Sequence, residues 1–278
     1  MGRTGHARHA GHAAIALAIA GAVAACAPAA GPAAAPPAAS AGATAAAEGA
    51  VATERTRAER TGPVRITAVG DSITEAVGWC DVTERQQWLA LLLERLGDDP
   101  AQQQPSRPGE YETIAGERYV VVNAGIGGDT TWQMRARFDG ALRAQSADVV
   151  IVFGGSNDIE GGLPLEQAED NLAWMVERCA SQGVVPVMAT VPPRSQMWGR
   201  QRADTLELNA WIRSYAEAHG YACIDFFAAL ESPAGSVSLP GSGAADYTDD
   251  GTHPNAAGNR AMADAIGLEP FTDAAARP

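Results

Sequence analysis

Four short segments of this chain carry the hydroxyl, amide, carboxylate and imidazole groups that nucleophilic catalysis needs. The first is Gly70-Asp71-Ser72-Ile73-Thr74-Glu75, where a Ser follows directly on a β-branched run. A serine hydroxyl is a useful nucleophile at neutral pH only beside a base. Asp and Ser are also good helix N-caps, so taken alone this segment reads first as a cap. The second is Asn123-Ala124-Gly125-Ile126-Gly127-Gly128-Asp129-Thr130-Thr131. Its Gly-rich backbone can point N–H groups at an anion, and it equally fits a plain turn before a helix. Gly-x-Gly-x-x-Gly is absent there, so it is no dinucleotide fingerprint. The third, Phe153-Gly154-Gly155-Ser156-Asn157-Asp158, sets an amide after another apolar run. The fourth, Asp249-Asp250-Gly251-Thr252-His253-Pro254-Asn255, has a carboxylate three residues before a His. From there Asp250 can accept a ring N–H, which fixes the tautomer and leaves the other nitrogen free as a base. The remaining candidate base, His219 in Glu217-Ala218-His219-Gly220, sits at the last turn of a helical pattern, where a cation suits the macrodipole.

Composition removes other chemistries. The chain has 278 residues with 20 Arg, no Lys and 33 acidic residues; five Arg and three Glu fall in the first 60, leaving 15 against 30 and a formal charge of −15 beyond. So acidic a domain repels a phosphate backbone, which argues against nucleic acid as a partner. Without Lys there is no P-loop lysine, Schiff base or Ser-Lys dyad. Three of the five His (His6, His9, His12) lie in the N-terminal stretch. Two remaining His with scattered Cys do not furnish a zinc site of the usual spacing.

The elements that must position these groups alternate. β-branched runs at Val64–Val69, Tyr119–Val122, Val149–Phe153, Val184–Ala189 and Tyr221–Phe226 are followed by turns and then amphipathic stretches. Helices are expected over Gln86–Leu96, Trp132–Ala144, Leu165–Ala180, Thr205–His219 and Pro254–Ile266, with Pro254 at a helix start. Buried strands separated by helices imply a parallel sheet covered on both faces, with the ligand site at the strands' carboxyl ends. The expected fold is α/β: a single three-layer α/β/α domain over residues 63–270, around a five-stranded, mainly parallel, flavodoxin-like sheet of order 2-1-3-4-5. Asp98 to Glu117, rich in Pro and Gln, reads as a surface insertion without an assigned role.

Taken together, and in this order, the four segments resemble the blocks of the SGNH, or GDSL, hydrolase family: Gly-Asp-Ser, Asn-Ala-x-Ile-x-Gly-Asp-Thr, Gly-Gly-x-Asn-Asp and Asp-Gly-x-His-Pro. The resemblance spans Val64 to about Ile266. It departs from the name motif at Ile73, where that motif has Leu. The resemblance implies a nucleophile at Ser72, a base at His253 and an orienting carboxylate at Asp250. It places the oxyanion hole at the backbone N–H groups of Ser72 and Gly128 and the side-chain amide of Asn157. The family spacing favours Gly128 over Gly127 as donor. The implied reaction is ester hydrolysis through an acyl-enzyme, with neither metal nor cofactor. The base must be neutral to act, so activity is expected to rise with pH across the ordinary imidazole range of about 6 to 7.

The expected substrate is a small ester or an acylated carbohydrate. No broad Leu- or Phe-rich lid segment is present, which favours short acyl groups such as O-acetyl. Trp79, Trp132 and Trp198 lie in or beside carboxyl-end loops, where indole faces can stack on sugars, line an acyl pocket or simply anchor loops. A cell-envelope O-acyltransferase, a lipase or lysophospholipase, and a non-catalytic envelope binding module are the alternatives.

The N-terminus reads as an export signal over residues 1–26. Arg3 and Arg8 precede an apolar run from Ala13 to Ala25, too short for the roughly 20 residues of a membrane-spanning helix. Val23-Ala24-Ala25-Cys26 resembles a lipoprotein cleavage site, which would make Cys26 the lipidated residue and a means of membrane attachment; ordinary cleavage near Ala25 is the alternative. Residues 27–62 are Ala-, Pro- and Gly-rich, too poor in large apolar side chains to fold, and read as a tether. Export permits disulfides. Of Cys80, Cys179 and Cys223, the last two are the preferred pair, three unpaired thiols the alternative.

Overall fold

The computed structural model describes residues 62–100, 102–104, 111–194, 199–231 and 247–276. The expected export signal with Cys26, the expected tether up to residue 61, and Trp198 lie outside the described residues. In chain order the strands are β1 Val64–Gly70, β2 Gln102–Gln104, β3 Glu112–Ala115, β4 Tyr119–Gly125, β5 Val149–Phe153, β6 Val185–Ala189 and β7 Ala222–Ile224. The helices are α1 Ser72–Glu75, α2 Trp88–Arg95, α3 Thr131–Gln145, α4 Ser156–Glu160, α5 Leu165–Ser181, α6 Gly199–His219, α7 Phe226–Leu230, α8 Ala256–Asp264 and α9 Glu269–Ala276.

These strands make one mixed sheet of order β2-β3-β4-β1-β5-β6-β7. Its parallel part, β4-β1-β5-β6-β7, has the expected 2-1-3-4-5 connectivity. Two more strands correct the expected count of five. They come from the stretch read as a plain insertion: β3 pairs antiparallel with β4, and β2 antiparallel with β3. The apolar pattern hid them because β2 is Gln-Gln-Gln and β3 contributes a single fully buried apolar residue, Ile114. Asp98 fastens this region to the sheet. Its carboxylate accepts the backbone N–H groups of Glu117, Arg118 and Tyr119 at 2.8, 2.7 and 2.9 Å. Burial opposes ionisation there, but those bonds outweigh it and hold the Asp98 carboxyl below its usual range.

Helices cover both faces, as continuous apolar strands require. One layer packs Trp88, Leu89 and Leu92 of α2, Met262 of α8 and Phe271 of α9 on Ile66, Val121 and Ile151. The other packs Phe138 of α3, Leu172 and Met175 of α5 and Leu208 of α6 on Val69, Val150 and Met188. The fully buried Phe271 lies beyond residue 270, so the packed region continues past the point where the sequence pattern ends it. The Cys179–Cys223 disulfide is not formed, and Cys80, Cys179 and Cys223 are free thiols. Cys179 is enclosed under α5, whereas Cys223 lies exposed on the edge strand β7.

Register decides what the sheet presents. Gly70 at the end of β1 is level with Gly125 on β4 and with Phe153 on β5. The first three chemical segments therefore leave adjacent strands at one carboxyl edge, the usual ligand position in open α/β sheets.

Candidate active site

Ser72 is the first residue of α1, and Asp71 is its N-cap, accepting the Ile73 N–H at 3.0 Å. The capping role thus falls to Asp71 and leaves the Ser72 hydroxyl free for other work. Gly70 is needed for this turn because a Cβ there would stand 2.7 Å from the Phe153 carbonyl oxygen and closer still to the Thr74 side chain. Opposite, the segment that leads into α8 is closed by a bridge between Thr248 and Pro254 and by Asn255 N–H donating to Tyr247 O at 2.8 Å. Pro254 therefore belongs to this bridge, and α8 starts two residues later with Asn255 as its cap; the expected start at Pro254 is corrected accordingly. The loop so closed carries Asp250 and His253.

Across 181 residues of chain, His253 Nε2 lies 2.9 Å from Ser72 Oγ. On its other side, His253 Nδ1 lies 2.6 Å from Asp250 Oδ2. Asp250 Oδ1 accepts the backbone N–H groups of Thr252 and His253, both at 2.8 Å. Burial disfavours the Asp250 carboxylate, but the His253 ring and these N–H groups prevail and hold its carboxyl far below the usual range. An ionised Asp250 accepts the Nδ1 proton, which leaves the Nε2 lone pair facing the hydroxyl. His219 takes no part. At the end of α6 its Nδ1 meets the Tyr215 carbonyl at 2.8 Å, and its ring stacks on Tyr215 and Tyr221.

The candidate oxyanion donors gather at the same edge. Gly127 and Gly128 are required for different reasons. A Cβ on Gly127 would stand 2.8 Å from Glu75 Oε2, 3.3 Å from the Trp79 ring and 3.8 Å from Ser72 Cβ, so this residue must be small for the turn to lie against Ser72. Gly128 has φ +82°, a conformation L side chains adopt with strain. The Asn157 amide donates to Asp129 O at 2.9 Å, which uses one of its two N–H groups and ties α4 to this turn.

Several positioning residues escape a reading of motifs. Arg137 on α3 donates to Asp129 Oδ2 at 2.7 Å, Ala124 O at 2.8 Å and Gly70 O at 2.9 Å, so one guanidinium links β1, its neighbour β4 and the glycine turn. In sequence it leaves only an acid and a base eight residues apart, with Asp129 ahead of the cap of α3. Asp158 accepts both the backbone N–H and the hydroxyl of Thr131, at 2.9 and 2.6 Å, joining the second and third segments. Trp79, which sequence reading left between substrate contact and loop anchor, stacks its indole on the His253 imidazole at 4.0 Å between centroids and 23° between planes. The Cys80 thiol next to it donates to the His253 carbonyl at 3.2 Å. Cys80 and Asp81 both have φ near +50°, at 46° and 53°. The bend they make folds the loop over the imidazole.

Asp71 has a second consequence. It is 1% exposed, and its Oδ2 makes no hydrogen bond. Burial pushes its carboxyl up to about 6, against the opposing Ile73 N–H and the charge of Arg194. A raised carboxyl favours the folded protonated form, so the stability it contributes is complete below about 3.8 and is lost as pH rises to about 6. Asp71→Asn keeps the capping oxygen without the charge. Relative to the parent, the variant is expected to gain about 2 to 3 kcal/mol between pH 4 and pH 7 in denaturant titrations. An equal stability difference at both pH values would remove the buried charge from this account.

Comparison with known proteins agrees with this geometry. The GDSL-like Lipase/Acylhydrolase family model matches residues 68–261. Esterase TesA of Pseudomonas aeruginosa is 34% identical over 115 residues, 41% of this chain and 48% of that protein. The uncharacterized lipoprotein YqeF of Bacillus subtilis is 27% identical over 143 residues, 49% of this chain and 51% of that protein. The chain thus spans about half the length of these curated relatives. In three dimensions it is similar to the acetyl xylan esterase AlAXEase, with TM-score 0.55, 22% identity and coverage of 73% of this chain and 97% of the other, a likeness of fold. Three chemical segments on one sheet edge and a fourth in the facing loop, together with a family match over most of the folded part, establish that this chain belongs to the GDSL-like lipase/acylhydrolase family.

Proposed function

We propose that the protein is a serine ester hydrolase acting through an acyl-enzyme on short acyl esters such as O-acetyl groups of carbohydrates. The observation that carries this is the continuous chain from Ser72 Oγ through His253 to Asp250, at 2.9 and 2.6 Å. In the first half-reaction Ser72 Oγ attacks the ester carbonyl while its proton passes to His253 Nε2. The Ser72 and Gly128 N–H groups and the free N–H of Asn157 are the donors for the tetrahedral oxyanion. Collapse expels the alcohol, which takes the proton from His253, and leaves an ester on Ser72. Water then enters, gives its proton to His253 and releases the acid as Ser72 recovers the proton. His253 is imidazolium at both tetrahedral stages, with the indole of Trp79 stacked on its ring.

Two points support the short acyl group: the chain has no Leu- or Phe-rich lid segment, and one structural neighbour is named for acetyl xylan. The apolar run before Cys26 supports export with lipid attachment at Cys26, and a relative named as a lipoprotein agrees with it. A p-nitrophenyl ester series from acetyl to palmitoyl tests the acyl preference. We expect kcat/KM to be highest at acetyl and to fall by about tenfold or more by octanoyl, as each added methylene finds no complementary apolar pocket. An optimum at palmitoyl would overturn the short-acyl reading. Adding an acceptor alcohol and analysing the products separates hydrolysis from transfer.

A further inference from the structure

Large apolar side chains exposed to solvent are few among the described residues: Ile126 at 40%, Trp132 at 67% and Leu206 at 36%. Two of these three bracket the Gly127–Gly128 turn. Trp132 stands in the first turn of α3, four residues from Gly128 and so within about 14 Å of it along the chain. Beyond it, between α3 and α5, opens a cleft of roughly 400 Å³ lined by Trp132, Arg135, Ala136, Asn171 and Trp174. Its polar groups are held in place. The Arg135 guanidinium lies over the Trp174 ring at 4.8 Å and donates to Asn171 Oδ1 at 3.1 Å. Asn171 in turn donates to Thr131 Oγ1 at 3.1 Å, and Thr131 is bound to Asp158 beside the candidate oxyanion amide. A fixed hydrogen-bond network thus ties the wall of the cleft to Asp158, the neighbour of Asn157.

We propose that this cleft is the subsite for a sugar ring of an uncharged O-acylated glycan, a proposal that rests on the ester-hydrolase reading above. An exposed indole offers a flat apolar face to one side of a pyranose, and a guanidinium and an amide beside it meet the ring hydroxyls. An acyl tail would gain little beside the Arg135 guanidinium and the Asn171 amide that line the cleft with the two indoles. A polyanionic chain would meet a domain of formal charge −15. The uncharged, polyhydroxylated ligand is the class that satisfies both conditions.

The test measures binding apart from catalysis. Full-length protein carrying Ser72→Ala is titrated with unacylated xylohexaose, cellohexaose, mannohexaose and chitohexaose, following tryptophan fluorescence and calorimetry. At least one is expected to bind, Trp132→Ala to weaken it by about tenfold, and Trp132→Phe to restore part of the loss. Arg135→Gln is expected to weaken it by several fold. With Ser72 intact, Trp132→Ala is expected to lower the ratio of kcat/KM on the matching acetylated glycan to that on an aryl acetate by about tenfold. Absence of binding by all four sugars, or binding and ratio both unmoved by Trp132→Ala, overturns the subsite. Sugar binding that depends on Trp132, in a protein that cleaves no ester, would leave the subsite standing and overturn the hydrolase reading.

Discussion

Replacing Ser72 by Ala is expected to lower kcat for ester hydrolysis by about 10⁴-fold or more while the protein stays folded. The hydroxyl has no structural duty that would confuse the result. Ser72 is 8% exposed at the start of α1, and the capping bond of that helix comes from Asp71. Removing Oγ leaves His253 Nε2 without its 2.9 Å partner and the carbonyl without an attacking atom. The N–H donors persist in the variant, so a small residual rate over water is expected to remain. Steady-state kinetics on an aryl acetate measures the loss, and mass spectrometry after a fluorophosphonate checks its origin: the parent gains one adduct at Ser72 and the variant none. Activity within tenfold of the parent would mean that the Ser72–His253 pair is not the reacting pair.

Asp250→Asn is expected to lower kcat by about 10⁴-fold with little change in KM, although it alters one atom. The reason lies in how the carboxylate is held. Its Oδ1 accepts two backbone N–H groups, from Thr252 and His253, while Oδ2 faces the ring. An amide placed there keeps its oxygen on the two N–H groups, which turns its NH₂ toward His253 Nδ1. The ring then carries its proton on Nε2 and has no lone pair for the Ser72 hydroxyl. The opposite flip would keep the ring bond but set NH₂ against two donors, which costs more. Because its neighbours hold the Asp250 carboxyl far below the usual range, the parent keeps this anion at every pH where an ester hydrolase is assayed. The variant's loss is therefore expected to be similar at pH 6 and pH 8. A kcat within tenfold of the parent, with fold verified by circular dichroism, would mean that Asp250 does not orient His253.

Some parts of the molecule are plain from residue order alone, because their causes are local. Continuous β-branched runs and period-3.6 apolar patterns give the five parallel strands and the long helices, and α5 begins at Leu165 as its pattern requires. The edge strands β2 and β3 escape because their pairing is made by hydrogen bonds of polar backbone, with Ile114 as the one fully buried apolar residue between them. Trp79 likewise shows an indole in a loop but not the imidazole it covers, and Arg137 shows a charge on a helix but not the strand ends and turn it joins.

Order and type of residues by themselves marked the candidate groups: a serine after the first strand, a histidine outside any helical pattern in the folded part, and an aspartate three residues before it. Those follow from short-range chemistry, in which a neighbour in sequence is a neighbour in space. Tertiary structure decided what the groups can do, because Ser72 and His253 are 181 positions apart and meet only when β1 ends at the carboxyl edge and the Thr248–Pro254 bridge closes opposite it. It also decided the surroundings of that pair. The indole over the imidazole, the guanidinium binding two strand ends and a turn, and the cleft beside Trp132 all arise from chain segments far apart in sequence, where no spacing rule reaches.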